Sequence, residues 1–93
     1  ISPWRYNVKE KYIFKREFFL EIKIKIVERL KELMKNYNVN QPQLAEAIGV
    51  SQSSISGWVT GKKEPSIESL WKLADYFEET IDYLVGRDRP KLY

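Results

Sequence analysis

The stretch from Gln41 to Gly61, QPQLAEAIGVSQSSISGWVTG, constrains the fold more than any other part of this 93-residue chain. Its apolar residues are Leu44, Ala45, Ile48, Val50, Ile55 and Trp58. Leu44 and Ile48 are four apart and share one face of a first short helix. Ile55 and Trp58 are three apart and share one face of a second. Gly49 lies between them, where a sharp turn needs a residue that tolerates positive φ. Ala45 is small and sits where two helices must approach closely. A helix, a tight turn at glycine and a second helix form an arrangement whose second helix can lie in the major groove of DNA.

Ninety-three residues are expected to form one small domain, with 43% hydrophobic residues supplying one modest core. Cysteine and histidine are both absent. No disulfide framework or thiolate zinc site is therefore available, and neither is the commonest general base and metal ligand. An enzyme is not expected, nor is a cofactor or a metal. No apolar run approaches ~18 residues, so no membrane span is expected. The start lacks a signal-peptide pattern, and a cytoplasmic location follows as the expectation. Ile1 in place of Met suits a processed protein or a fragment.

Charge is unevenly placed. Residues 1–40 carry ten Lys/Arg against five Asp/Glu, residues 41–65 two against two, and residues 66–93 four against six. A basic first part and an acidic last part suggest a preferred face toward a polyanion.

Along the chain, residues 1–20 interleave Trp4, Tyr6, Tyr12, Phe14, Phe18 and Phe19 with Arg5, Lys9, Lys11, Lys15 and Arg16. From Phe14 a stripe runs through Ile22, Ile26, Leu30, Leu33 and Tyr37 at helical spacing. The segment LEIKIKI, residues 20–26, also alternates like a strand. Helix is expected at least from Ile24 to Tyr37. Asn40 and Gln43 have capping-box spacing, with Pro42 tolerated in the first turn. Ser51 caps the next helix, which ends near Thr60 with Gly61 as terminator. Ser66 caps a helix over Ile67–Phe77, whose core stripe is predicted as Ile67, Leu70, Leu73, Ala74 and Phe77. Thr80 caps a last helix, Ile81–Val85, ended by Gly86. The expected organisation is an N-terminal extension at 1–21, an all-helical domain at 22–87 and a tail at 88–93.

The segments LKELMKNYNVNQPQLAEAIGVSQSSISGWVTGKKEPSIESLWKLADYF and IDYLVG occur in an order that resembles the Cro/CI-type, or xenobiotic-response-element-type, helix-turn-helix family. The resemblance covers residues 26–86, about two-thirds of the chain, and does not reach residues 1–20. It implies an all-α fold, a five-helix lambda-repressor-like DNA-binding domain, here with an aromatic and basic N-terminal extension. It further implies binding to operator DNA as a dimer on a palindromic site. The family frequently has Arg and Glu at the positions of Met34 and Val59, paired between the first and third helices. Both are apolar here, so neither charge is stranded, and the two side chains are expected to touch.

On this resemblance Gln41 and the N–H groups beside it meet a DNA phosphate, and Gln43 reaches phosphate or base. Gln52 is the leading candidate base reader, because an amide can bond adenine N6 and N7 together. Ser53 and Ser56 are short donors and acceptors for base or phosphate, while Ser51 and Ser54 serve the cap or a phosphate. Gly57 departs from the family, which often has a long polar or basic side chain there. Thr60, Lys62 and Lys63 follow the recognition helix and are expected on the DNA backbone.

The expected function is a sequence-specific, double-stranded-DNA-binding transcriptional regulator, a repressor acting as a homodimer. The alternative is an antitoxin-like or adaptor protein that uses the domain mainly to bind another protein. The extension has three readings: added core, a dimerisation element joined by Trp71, or a basic arm on DNA.

Overall fold

The computed structural model describes residues 15–87, with side chains from residue 20. The chain forms five helices: α1 Lys15–Asn36, α2 Gln41–Ile48, α3 Gln52–Thr60, α4 Ile67–Phe77 and α5 Ile81–Leu84. There is no strand among the described residues. The fold is the all-α, five-helix lambda-repressor-like one. The aromatic residues of the extension and the tail at 88–93 lie outside the description of side chains.

The ambiguous LEIKIKI segment is helical, and burial shows why. A strand would put Leu20, Ile22, Ile24 and Ile26 on one face. Instead Leu20 and Ile24 are half exposed, while Ile26, Leu30 and Leu33 are buried at helical spacing. The helix starts at Lys15 and includes the expected stretch from Ile24 to Asn36. The four-residue period wins because it matches the partners that α1 covers, the α3 and α5 helices. Arg29 fastens one of these contacts. Its guanidinium lies 4.2 Å over the Tyr83 ring and donates to the Tyr83 carbonyl at 3.3 Å.

One core unites the helices. Leu30, Leu44, Ile55, Leu73, Phe77 and Leu84 are its almost fully buried members, joined by Ala45, Ile48, Trp58 and Val59. Met34 is half buried and packs against this cluster, in which Val59 is buried. Tyr37, just past α1, donates its hydroxyl to the Phe77 carbonyl at 2.8 Å and sets its ring edge-on to Phe77.

Ile67 is not part of the α4 stripe, contrary to the sequence expectation. It is 82% exposed, whereas Leu73, Ala74 and Phe77 are buried. Ile67 is the first residue of α4, at the open end of the helix one turn before the buried stretch, beside exposed Trp71 four residues on. Trp71 is itself 69% exposed.

The helix ends are closed locally. Asn40, Ser51, Ser66 and Thr80 each cap a helix by accepting the N–H three residues on. Every C-terminus then closes on a left-handed residue: Asn38, Gly49, Gly61, Glu78 and Gly86 have φ between 53° and 79°. The N–H that follows each returns to a carbonyl five residues back, as in Val50 to Ala45 at 3.0 Å and Glu79 to Ala74 at 2.9 Å. This is the Schellman arrangement. Three of the five ends use glycine. Glu78 carries a Cβ at φ 55°, which costs about 1 kcal/mol. Glu78→Gly therefore raises the unfolding free energy by roughly 0.5 kcal/mol after the unfolded-state entropy of glycine is counted. Urea denaturation measures it, and a loss of stability would show that the Glu78 side chain holds a contact worth more than the strain.

Candidate nucleic-acid interface

The sequence places α2 and α3 on either side of a three-residue turn, Gly49 to Ser51. Ala45 is buried in the core cluster, and its carbonyl accepts the Val50 N–H. Gly49 closes α2 at φ 73°, and Ser51 opens α3 in extended geometry. The path of the turn between the two helices is thus set by hydrogen bonds at both of its ends.

At the start of α2 the capping box is complete. The Gln43 N–H donates to Asn40 Oδ1, and the Asn40 N–H donates to Gln43 Oε1, both at 2.9 Å. Leu44 N–H reaches the Asn40 carbonyl at 3.0 Å, and Pro42 has no N–H. The first-turn N–H outside these bonds is that of Gln41, whose side chain is half buried. Gln43 uses one lone pair of its amide oxygen on the cap, which fixes the side chain and leaves its NH2 group to donate to an anion.

In α3, Ile55, Trp58 and Val59 form the buried side. The opposite side carries Ser53, Ser56, Gly57 and Thr60 at helical spacing. Ser51, Ser53 and Ser54 form a hydroxyl cluster, with Ser51 Oγ 3.1 Å from Ser53 Oγ and 2.9 Å from Ser54 Oγ. Ser51 also accepts the Ser54 N–H. Sequence reasoning assigned these serines singly, and the spacing of the cap could have shown that they are linked. Gln52 is exposed at the first position of α3, and its amide enters none of the side-chain bonds among the described residues. It therefore keeps both its donor and its acceptor for a partner.

Thr60 is exposed, but its hydroxyl donates back to the Ser56 carbonyl at 2.8 Å and lies 3.3 Å from that of Gly57. Its one proton is engaged within the helix. Lys62 and Lys63 are exposed in the turn after α3, where both backbone N–H groups donate to the Gly57 carbonyl, at 2.9 and 3.1 Å. Gly57 is buried although it belongs to the outward stripe. The end of α2, the turn and the whole of α3 carry no charged side chain from Ala47 to Gly61, so the lysines after α3 bring the charge.

No group of three or more Asp, Glu, His or Cys is placed to hold a metal among the described residues. No described helix is long and apolar enough to cross a membrane.

Residues 30–84 match the family model described as helix-turn-helix. Among curated relatives, the HTH-type transcriptional regulator AnsR of Bacillus subtilis (strain 168) is 38% identical over 65 residues, covering 70% of this chain and 56% of AnsR. The cryptic phage CTXphi transcriptional repressor RstR of Vibrio cholerae is 42% identical over 64 residues, covering 69% of this chain and 57% of RstR. A crystal structure of a transcriptional regulator from Listeria innocua superposes with a TM-score of 0.64 at 33% identity, covering 72% of this chain and 63% of that one. The chain thus spans somewhat over half the length of these two curated relatives.

Proposed function

The chain belongs to the Cro/CI-type helix-turn-helix family, and from that premise we propose that it is a sequence-specific regulator of transcription that binds double-stranded DNA. The observation that carries this reading is the outer face of α3. It is led by the unengaged amide of Gln52 and by the serine hydroxyls, and α3 packs against α2. In this reading α3 enters the major groove. Gln52 reads a base, and Ser53 and Ser56 contact base or phosphate. Gln41, Gln43, Lys62 and Lys63 hold the backbone. Selection from random duplex pools at ~150 mM salt tests it, since specific binding must outlast the salt-sensitive contacts. Enrichment of one sequence is expected, and recovery of none would sink the proposal.

Repression by occupying promoter DNA, as a homodimer on a palindromic site, is the finer part of the proposal. RstR is named a repressor, which supports the first element. Ile67 and Trp71, in line on α4 and exposed, support a second copy as partner. The selected sequence should then contain two half-sites about 34 Å apart, one turn of DNA. Trp71→Ala should shift the protein from dimer to monomer in sedimentation at micromolar concentration. A dimer of unchanged strength would place the interface elsewhere, the aromatic extension being the next surface to delete. The same exposed pair keeps the adaptor reading as the second one. It gains if the protein enriches no DNA.

A further inference from the structure

Gly57 lies on the outward side of α3, four residues after Ser53 and three before Thr60, yet it is buried. A Cβ at Gly57 would stand 2.8 Å from Cδ, 2.9 Å from Cγ and 3.0 Å from Cβ of Lys63. The lysine stem therefore runs through the space that a side chain at position 57 would fill. The cause is the end of α3. Lys62 and Lys63 both donate their N–H groups to the Gly57 carbonyl, which folds the turn back on the helix. Any residue with a Cβ would push the stem off, and the near end of that stem is fixed by the turn.

We propose that Gly57 is a positioning residue: its bare α-carbon seats the stem of Lys63 on the outer face of α3, so that a turn residue supplies the recognition helix with its cation. The helix has no charged side chain of its own. In this role the stem is held over Gly57 on the outer face of α3, and the ammonium at its end meets a DNA phosphate at the edge of the groove. A compact ammonium on an aliphatic stem suits both halves of this role, because the stem covers backbone while the head stays in water. The proposal rests on the DNA-binding reading above.

The test compares Gly57→Ala, Lys63→Met and the double variant. Binding is followed by fluorescence anisotropy on the selected duplex, made about 30 base pairs long to hold two half-sites. Alanine favours helix over glycine, so the circular dichroism of Gly57→Ala should show no helix loss. Methionine keeps most of the Lys63 stem. Each single variant should bind about tenfold more weakly at ~150 mM salt and lower the salt slope by about 1.8, one phosphate contact in each half-site. The double variant should bind no more weakly than Lys63→Met. Wild-type affinity in either single variant, or losses that multiply in the double, would overturn the proposal. Cross-peaks between Gly57 Hα and the Lys63 methylene protons report the seat without DNA. They should be present in the wild-type protein, and their absence overturns the seat whatever the binding. Intact cross-peaks in a protein that binds no duplex would instead overturn the DNA-binding reading.

Discussion

Phe77→Ala should lower the unfolding free energy by about 3–5 kcal/mol. Phe77 is fully buried at the end of α4, with the Tyr37 and Tyr76 rings edge-on at 5.2 and 4.9 Å. Removing it leaves a ring-sized cavity in the core at the end of α4, beside Tyr37. It also takes away two edge-to-face contacts worth about 0.5–1.5 kcal/mol each. A domain of this size is stable by only about 5–15 kcal/mol, so the variant should be substantially unfolded on modest warming. Urea denaturation with matched m-values measures the change. Phe77→Leu retains part of the volume and should lose clearly less. A loss below about 1 kcal/mol for the alanine variant would contradict the placement of this ring in the core.

Gln52→Ala should weaken binding to the selected duplex by about 1–3 kcal/mol and relax the preference at one A·T pair. Gln52 is neutral, so the salt slope should not change. Lys62→Ala gives the contrasting result: weaker binding across all sequences and a slope lower by about 1.8, one contact in each half-site. Alanine sustains the helix at position 52, so circular dichroism should be unaltered. If both substitutions moved only the slope, or if Gln52→Ala left specificity intact, the base-reading role would pass to Ser53 or Ser56. Anisotropy titrations on the selected duplex and on single-base variants decide between these.

Much of this architecture can be read from residue type and spacing, because the signals are local. Asn40 with Gln43, Ser51, Ser66 and Thr80 act within a single helical turn, and each caps the helix expected of it. Gly49, Gly61 and Gly86 mark three helix ends because only glycine takes positive φ without strain. Glu78 closes α4 in the same conformation, and nothing about a glutamate signals it; the Glu79 N–H returning to the Ala74 carbonyl holds the turn. Ile67 misled for a related reason. Its spacing to Leu70 is helical, but it is the first residue of α4, at the open end of the helix. The site divides in the same way. The exposed amide of Gln52 follows from its place at the start of α3, and the fixed side chain of Gln43 follows from the capping box. The fold-back of Lys63 onto Gly57 depends on the path of a turn, which residue spacing does not describe. The direct Met34–Val59 contact is still an expectation; a double-mutant cycle reads it.

The five locally closed helix ends have a thermodynamic consequence for association. Each connection carries its own hydrogen bonds, so the two helices and the turn between them have little conformational freedom left to lose on meeting a partner. The heat-capacity change on binding should therefore follow the area of contact alone, without the added contribution of coupled folding from residues 41–61. Specificity in such a molecule is a matter of shape held in advance, and a wrong sequence meets a surface that does not yield to accommodate it.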